Sequence, residues 1–590
     1  MSTEHDPRAP GATRSFDRRR FLTLCTSLGI GAAALPHLLA AAEKGKITRA
    51  DLTAVEDLTG LHFSDPQRDL MLKGLDEQRA DYARLREVIL ANDVPPAFHF
   101  DPAPPGIAAM TAGAASPQPD PEKRPFRMSA GGPEASLAAS ATPPADLEEL
   151  AFLPLTQLAR FLHSGKVKSV DLTRMYLARL RRLDPVLHAV ITYTEERALA
   201  QAEAADKEIA AGKIRGPLHG IPWGAKDLLA VRGYPTTWGS VPFKDQVIDE
   251  DATVVERLDR AGAVLVAKLA VGELAWGDIW FGGMARNPWK PEQGSSGSSA
   301  GSAATTAAGG VGFAIGTETL GSIVSPSTRC GATGLRPTFG RVSRHGAMAL
   351  AWTMDKIGTL CRSVEDCAAV FNAIHGADGK DEAAVDRPFT WDPELDVRRL
   401  KVGYVRDLFQ AEPQKGMEEG HAFNLAVLEV LRDQKIDLQP IDLPDLPIGP
   451  LRLILTAEAA AAFDELTRSG RDDLMVRAKE ENAWANVFRQ GRTIPAVEYI
   501  QAHRVRTLLM REMAKRMATV DAYVAPSFGD NLLLTNLTGH PAVVLPHGFR
   551  KDGTPMSITF TGRLYGEAAL LALARTYQEA TGFHLKHPKL

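Results

Sequence analysis

Between Gly294 and Ser322 the chain places two glycine–serine turns on either side of a run of very small residues. The first turn reads Gly294-Ser295-Ser296-Gly297-Ser298-Ser299-Ala300-Gly301-Ser302. The second reads Gly316-Thr317-Glu318-Thr319-Leu320-Gly321-Ser322. Glycine reaches positive φ without steric cost and lets another chain or a ligand approach the main chain. Serine adds a hydroxyl with little bulk. Ala303 to Ala308 is nearly all Ala and Thr, which suits an element packed tightly against its neighbours. By composition alone the first turn is a flexible linker. A linker has no use for a second Gly-Thr-x-x-x-Gly-Ser turn, led into by apolar Val311, Phe313, Ala314 and Ile315. A buried strand, a sharp glycine turn and a serine at the turn present a nucleophile beside free backbone N–H groups.

Three further segments carry a resemblance. Gly220-Ile221-Pro222-Trp223-Gly224-Ala225-Lys226-Asp227 lies upstream of the serine turns. Gly334-Leu335-Arg336-Pro337-Thr338-Phe339-Gly340-Arg341-Val342 follows them, and Asn536-Leu537-Thr538-Gly539-His540-Pro541-Ala542 comes near the end. With Gly297–Ala303 and Gly316–Ile323 these make an ordered set that resembles the amidase signature family. The resemblance runs from about residue 146 to 585. It implies an α/β fold: a single large mixed β-sheet covered by helices on both sides. It also implies a serine hydrolase of amides with a Ser–Ser–Lys triad.

On that resemblance Ser322 is the nucleophile, Lys226 the base and Ser298 the relay between them. The relay serine of the family lies 24 positions before the nucleophile and in a cis peptide. That spacing selects Ser298 over Ser295 and Ser296 of the extra Gly-Ser-Ser. The oxyanion hole is expected from the backbone N–H groups of Thr319, Leu320, Gly321 and Ser322. Lys226 sits between Ile221-Pro222-Trp223 and Leu228-Leu229, which suggests burial. Burial disfavours the ammonium and frees an amine to accept a proton. Asp355, within Thr353-Met354-Asp355-Lys356, either orients the oxyanion loop or forms a structural salt bridge. Three residues depart from the family pattern: Glu318 for its Asp, Leu320 where Gly is common, and Val324 where Arg is common. They leave the triad intact and put the acyl-side pocket in doubt.

The chain has 590 residues and is 44% hydrophobic and 24% charged, an ordinary globular composition. A net charge of −4 gives no footprint for nucleic acid. Cys25, Cys330, Cys361 and Cys367 make no disulfide framework; Cys361 and Cys367 read as small buried thiols, with pairing the alternative. No metal-ligand spacing appears, and the chemistry needs no cofactor.

Residues 1–42 read as a twin-arginine signal. Asp17-Arg18-Arg19-Arg20-Phe21-Leu22 precedes a mildly apolar stretch to Leu39 and a small-residue end at Ala40-Ala41-Ala42. A membrane anchor is the alternative. The expected location is the periplasm or outside the cell. Residues 43–93 read as a helical extension with a Ser64–Gln67 capping box. Residues 94–145 are rich in Pro, Ala and Gly and read as a linker or surface strap; His99 between Phe98 and Phe100 reads as packed. Residues 146–590 form the catalytic domain. Helices are expected over Thr156–Leu162, Ser169–Leu183 (stopped by Asp184-Pro185), Glu195–Ala211 and much of 450–515. Ser363 with Asp366 is expected to cap another. Strands are expected at Val190–Tyr193, Val264–Ala267, Leu400–Tyr404, Ile436–Pro440, Tyr523–Pro526 and Val543–Pro546.

The main expectation is therefore an exported amidase, a monomer or homodimer, acting on a small-molecule amide, with no nucleic acid and no stable membrane insertion beyond an uncleaved signal. Two alternatives stand beside it. One is the family's glutamine-hydrolysing subunit of an aminoacyl-tRNA amidotransferase; the other is a non-catalytic binding protein on the same fold.

Overall fold

The computed structural model describes residues 46–90, 97–98, 126–129, 142–413 and 415–590. The signal segment with Cys25, His99 and most of the proline-rich stretch lie outside the described residues. The chain divides into two compact units, one ending at Ala80 and the other spanning Asp81–Leu590. The first holds α1 (Arg49–Thr59) and most of α2 (Asp65–Arg86). Thr48 and Asp51 cap α1 reciprocally. The Gln67 side chain accepts the Ser64 N–H at 2.7 Å, as the capping box requires. Leu52, Met71 and Leu75 bury one another.

The second unit is built on one sheet. Its strands are β1 (Val190–Tyr193), β2 (Pro222–Lys226), β3 (Val264–Leu269), β4 (Phe313–Glu318), β5 (Thr333–Arg336) and β6 (Lys356–Cys361). They continue with β7 (Val402–Val405), β8 (Leu438–Ile441), β9 (Ala522–Pro526), β10 (Ala542–Phe549) and β11 (Pro555–Gly562). The order across the sheet is β1-β3-β2-β4-β6-β5-β10-β11-β9-β7-β8. β2 runs parallel to β3 and β4, whereas β6 is antiparallel to β4 and β5, so the sheet is mixed. Successive side chains of a strand point to opposite faces. Here Leu265, Phe313 and Ile315 enter the main apolar core, while Val264, Val266 and Ala314 enter a second one with Leu177, Leu180, Ala198 and Ala202. Two cores fed by alternate residues mean that both faces of these strands are covered. That is why they read as continuous apolar runs.

The helices used below are α3 (Leu155–His163), α4 (Ser169–Leu187), α5 (Ala300–Ala307), α6 (Val324–Cys330), α7 (Arg452–Ala462), α8 (Ala496–Met517) and α9 (Asp530–Leu537). One sequence expectation needs correction: α4 does not stop before Asp184-Pro185 but runs on to Leu187. Pro185 falls in the closing turn, where it forgoes one i→i−4 bond and only Val186 and Leu187 follow it in the helix. His188 then ends the helix in the left-handed region, its N–H on Asp184 O at 2.8 Å. The Asp184 carboxylate accepts the Ala189 and Val190 N–H groups and launches β1. Ser363 does cap its helix through the Asp366 N–H. All eight residues of α5 are buried. Cys330, Cys361 and Cys367 are buried free thiols, so Cys361 and Cys367 do not pair.

Candidate active site

Lys226 is the last residue of β2 and is fully buried. Its Nζ lies 2.8 Å from Ser298 Oγ, 2.8 Å from Thr317 Oγ1, 3.1 Å from Ser299 Oγ and 3.4 Å from Thr317 O. The parallel pairing of β2 with β4 brings Thr317 to the lysine. The Ser298–Ser299 step is set at the start of α5, and the Gly297–Ser298 peptide is cis. Among the described residues no carboxylate touches the amine. Burial pushes its pKa well below the ordinary lysine value, and the more distant Asp355 and Glu318 charges offset this only in part. An amine so placed donates to hydroxyls when protonated and accepts the Ser298 proton when neutral.

The second turn leaves β4 at Glu318 and enters α6 at Val324. Gly321 carries it round with φ +81°, a value open to glycine at little cost. Ser322 is 8% exposed, and its carbonyl accepts the Ser299 N–H at 3.2 Å, which holds the turn against the Ser298 segment. Among the described residues, the N–H groups of Thr319, Leu320, Gly321 and Ser322 have no hydrogen-bond acceptor, and the Ser322 hydroxyl has no partner. The four donors and the hydroxyl are thus unengaged on one turn. Among the described residues Asp355 has no salt-bridge partner. Its Oδ1 accepts the Thr319 hydroxyl at 2.6 Å, and Oδ2 accepts the Leu350 and Ala351 N–H groups, so it braces the turn.

Glu318 explains its own departure from the family pattern. Its carboxylate is wholly buried. Oε2 accepts the Ile323 and Val324 N–H groups, and Oε1 accepts Arg336 Nη1 at 2.6 Å and Asn536 Nδ2 at 2.8 Å. Burial alone would raise its pKa; Arg336 and the two N–H donors outweigh it and hold it at about 2. All four contacts stay inside the protein, so Glu318 fixes the turn and does not line a pocket. Val324 is buried too, and Leu320 packs against the main core.

The structure places Lys226 on Ser298 and ties the Ser322 main chain to Ser299, with the Thr319–Ser322 N–H groups on the same turn as Ser322. Sequence reasoning missed Ser299 and Thr317 as neighbours of the lysine, and Arg336 and Asn536 as partners of Glu318. The last two sit in motif segments already singled out, but nothing local tells which side chain in a motif turns inward. A separate cavity of about 510 Å³, lined by Phe152, Phe161, Trp289, Arg362 and His584 among others, contains none of the triad residues. Among the described residues there is no cluster of metal-ligating side chains, and no helix is long and apolar enough to cross a membrane.

One mixed sheet thus positions a buried amine on a serine and a second serine at a turn of unengaged N–H groups. The amidase family model matches residues 171–533, and the chain belongs to the amidase signature family, enzymes that act on amide C–N bonds. It is 36% identical over 484 residues to the A-type subunit of a glutamyl-tRNA(Gln) amidotransferase from Roseiflexus sp. (strain RS-1), covering 74% of this chain and 98% of that protein. Among solved structures it is similar to the native peptide amidase from Stenotrophomonas maltophilia. That match has a TM-score of 0.63 and 28% identity, over 73% of this chain and 97% of the other. An amidase family protein from Bacillus anthracis str. Ames matches with a TM-score of 0.67 and 26% identity, over 75% and 93% of the two chains.

Proposed function

We propose that this chain hydrolyses a carboxylic amide through an acyl-enzyme on Ser322. The observation that carries the reading is the buried Lys226 amine, 2.8 Å from Ser298 Oγ and without a carboxylate in contact. The neutral amine takes the Ser298 proton as Ser298 takes that of Ser322. Ser322 Oγ attacks the amide carbon, and the oxyanion settles on the N–H groups of Thr319 to Ser322. Ser298 returns the proton to the leaving nitrogen, the C–N bond breaks, and ammonia or an amine departs. Water, deprotonated along the same path, then cleaves the Ser322 ester to the carboxylate. Removing one oxyanion donor costs a typical enzyme about 3–4 kcal/mol of barrier.

Two substrate readings follow. Similarity to the curated relatives gives the stronger support to glutamine, whose side-chain amide would yield ammonia for a partner subunit. The second reading is a stand-alone amidase on a small-molecule or peptide amide, a monomer or homodimer. The peptide amidase structure supports it, as does the Arg18-Arg19 segment, which we read as a signal for export to the periplasm or beyond. The test is ammonia and amine release by the purified full chain from glutamine, primary amides, anilides and peptide amides, beside Ser322→Ala. The expected result is turnover that falls at least about a thousandfold in the variant. Undiminished turnover in Ser322→Ala would remove the nucleophile assignment. The preferred substrate, and any need for a partner, decide between the two readings.

A further inference from the structure

Residues 81–98 precede the stretch matched by the amidase model. The described part of this segment nevertheless grips α8. Arg86 Nη2 meets Glu498 Oε1 at 2.5 Å. The Ala97 N–H donates to the His503 carbonyl at 3.2 Å. The Phe98 ring stands edge-on to His503 at 5.0 Å and stacks on Tyr499 at 6.3 Å between centroids. Tyr499 and His503 are themselves in edge contact at 4.6 Å.

From that face a run of partly buried hydrogen bonds leads to the oxyanion turn. The Tyr499 hydroxyl donates to Glu458 Oε1 of α7 at 3.1 Å. Glu458 also accepts the Thr353 hydroxyl at 2.7 Å and the Thr353 N–H at 2.9 Å. Arg506 of α8 holds Thr353 from the other side, donating to its Oγ1 and its carbonyl at 2.7 Å each. Two residues on, Asp355 accepts the Thr319 hydroxyl. Glu458 and Arg506 are nearly inaccessible to water, so their charges have few alternatives to these partners. Thr353 is the junction: both groups converge on it, and its loop carries the carboxylate that braces Thr319.

We propose that the described residues 81–90 and 97–98 are a positioning element for the oxyanion turn, with Phe98 their principal contact and Tyr499, Glu458, Thr353 and Asp355 the connection. The proposal rests on the hydrolase reading above. Phe98 sets the tilt of the Tyr499 and His503 rings, and the ring tilt sets where the Tyr499 hydroxyl meets Glu458. The element touches no substrate. Its loss therefore acts on the step where oxyanion charge develops and not on binding. The test is built on non-additivity.

The experiment uses the full chain with Phe98→Ala, Phe98→Tyr, Tyr499→Phe and the double variant Phe98→Ala/Tyr499→Phe. Three quantities are read: kcat and KM on the best amide, labelling of Ser322 by a fluorophosphonate, and amide hydrogen exchange over residues 350–355. Phe98→Ala is expected to lower kcat and the labelling rate by about tenfold, a fraction of what a whole oxyanion donor is worth, with KM within about twofold. Phe98→Tyr keeps the ring and restores both rates. In the Tyr499→Phe background, Phe98→Ala is expected to cost less than about twofold, because the connection is already cut. Unchanged kcat in Phe98→Ala, or full additivity of the two substitutions, overturns the proposal. Phe98 is 46% exposed, so its truncation leaves the core in place. If the wild-type chain cleaves no amide and Ser322 resists labelling, the hydrolase reading has failed. Exchange at Leu350, Ala351 and Thr353 then still decides: about tenfold faster in Phe98→Ala and native in Phe98→Tyr supports positioning, and no change removes it.

Discussion

The Lys226 amine has oxygen neighbours on three residues and an ion pair with none of them, which separates it from Lys268 next to it in the sheet. Lys268 is equally buried but meets the Asp227 carboxylate at 2.7 Å, and that contact opposes in part the lowering of its pKa by burial. Lys226 has only hydroxyls and a carbonyl, and burial depresses its pKa. The consequence is a pH profile with a definite sign. The ammonium cannot accept a proton, so kcat/KM rises tenfold per pH unit on the acid side and levels off above the depressed Lys226 pKa. The plateau is expected well below pH 10.5, and replacing Lys226 by Met is expected to remove the acid limb together with at least about a thousandfold of the rate. A rise continuing to the ordinary lysine pKa would show that the amine is charged in the resting site.

Among the elements, α5 is the one most tightly specified. It carries Gly301 because a Cβ there would stand 2.3 Å from Ala189 O and 2.5 Å from Ala270 N, both of them backbone atoms unable to yield. Gly301→Ala is expected to cost more than about 2 kcal/mol in urea unfolding, as overpacking in a rigid surrounding does. Because α5 begins directly after Ser298 and Ser299, the same change is expected to lower activity in the fraction that still folds. The small-residue run was legible in the sequence for this reason: only close packing explains Ala and Thr in series. The alternating strands and the two serine turns were legible too, because burial on both sheet faces and a sharp glycine turn each leave local marks. Pro185 misled because its effect depends on distance from the helix end, which the sequence does not mark. Thr317, Ser299 and Asn536 were silent because their roles arise only when β2, β4 and α9 meet. A threonine in a strand looks the same whether it faces a lysine or a core.

At the scale of the whole molecule, two buried carboxylates make opposite contributions to stability. Glu318 is held at about 2, below the ordinary glutamate value of 4.5, because Arg336 and the N–H donors outweigh its burial. Its contribution is present above about pH 4.5 and is lost as pH falls toward 2, on the order of 3 kcal/mol in all. Asp366 is pushed up to about 7 by burial, which Arg362 only partly opposes, and neither of its carboxylate oxygens has a hydrogen-bond partner among the described residues. The folded state therefore keeps a proton there that the unfolded state gives up near 3.8. Stability falls as pH rises from about 4 to 7, again on the order of 4 kcal/mol. Urea unfolding across pH is expected to show both slopes. Asp366→Asn should flatten the one between about pH 4 and 7 and leave the acid slope, and Glu318→Gln should do the reverse.

The bond from Asn536 to Glu318 joins residues 218 positions apart, and this has a consequence in time. A ribosome adds about 5–20 residues per second, so Ser322 emerges roughly 10 to 40 seconds before the residue that completes its turn is made. For that interval the nascent chain carries Lys226, Ser298 and Ser322 without the finished geometry around them. The last partner of the Glu318 carboxylate is therefore supplied close to the end of synthesis.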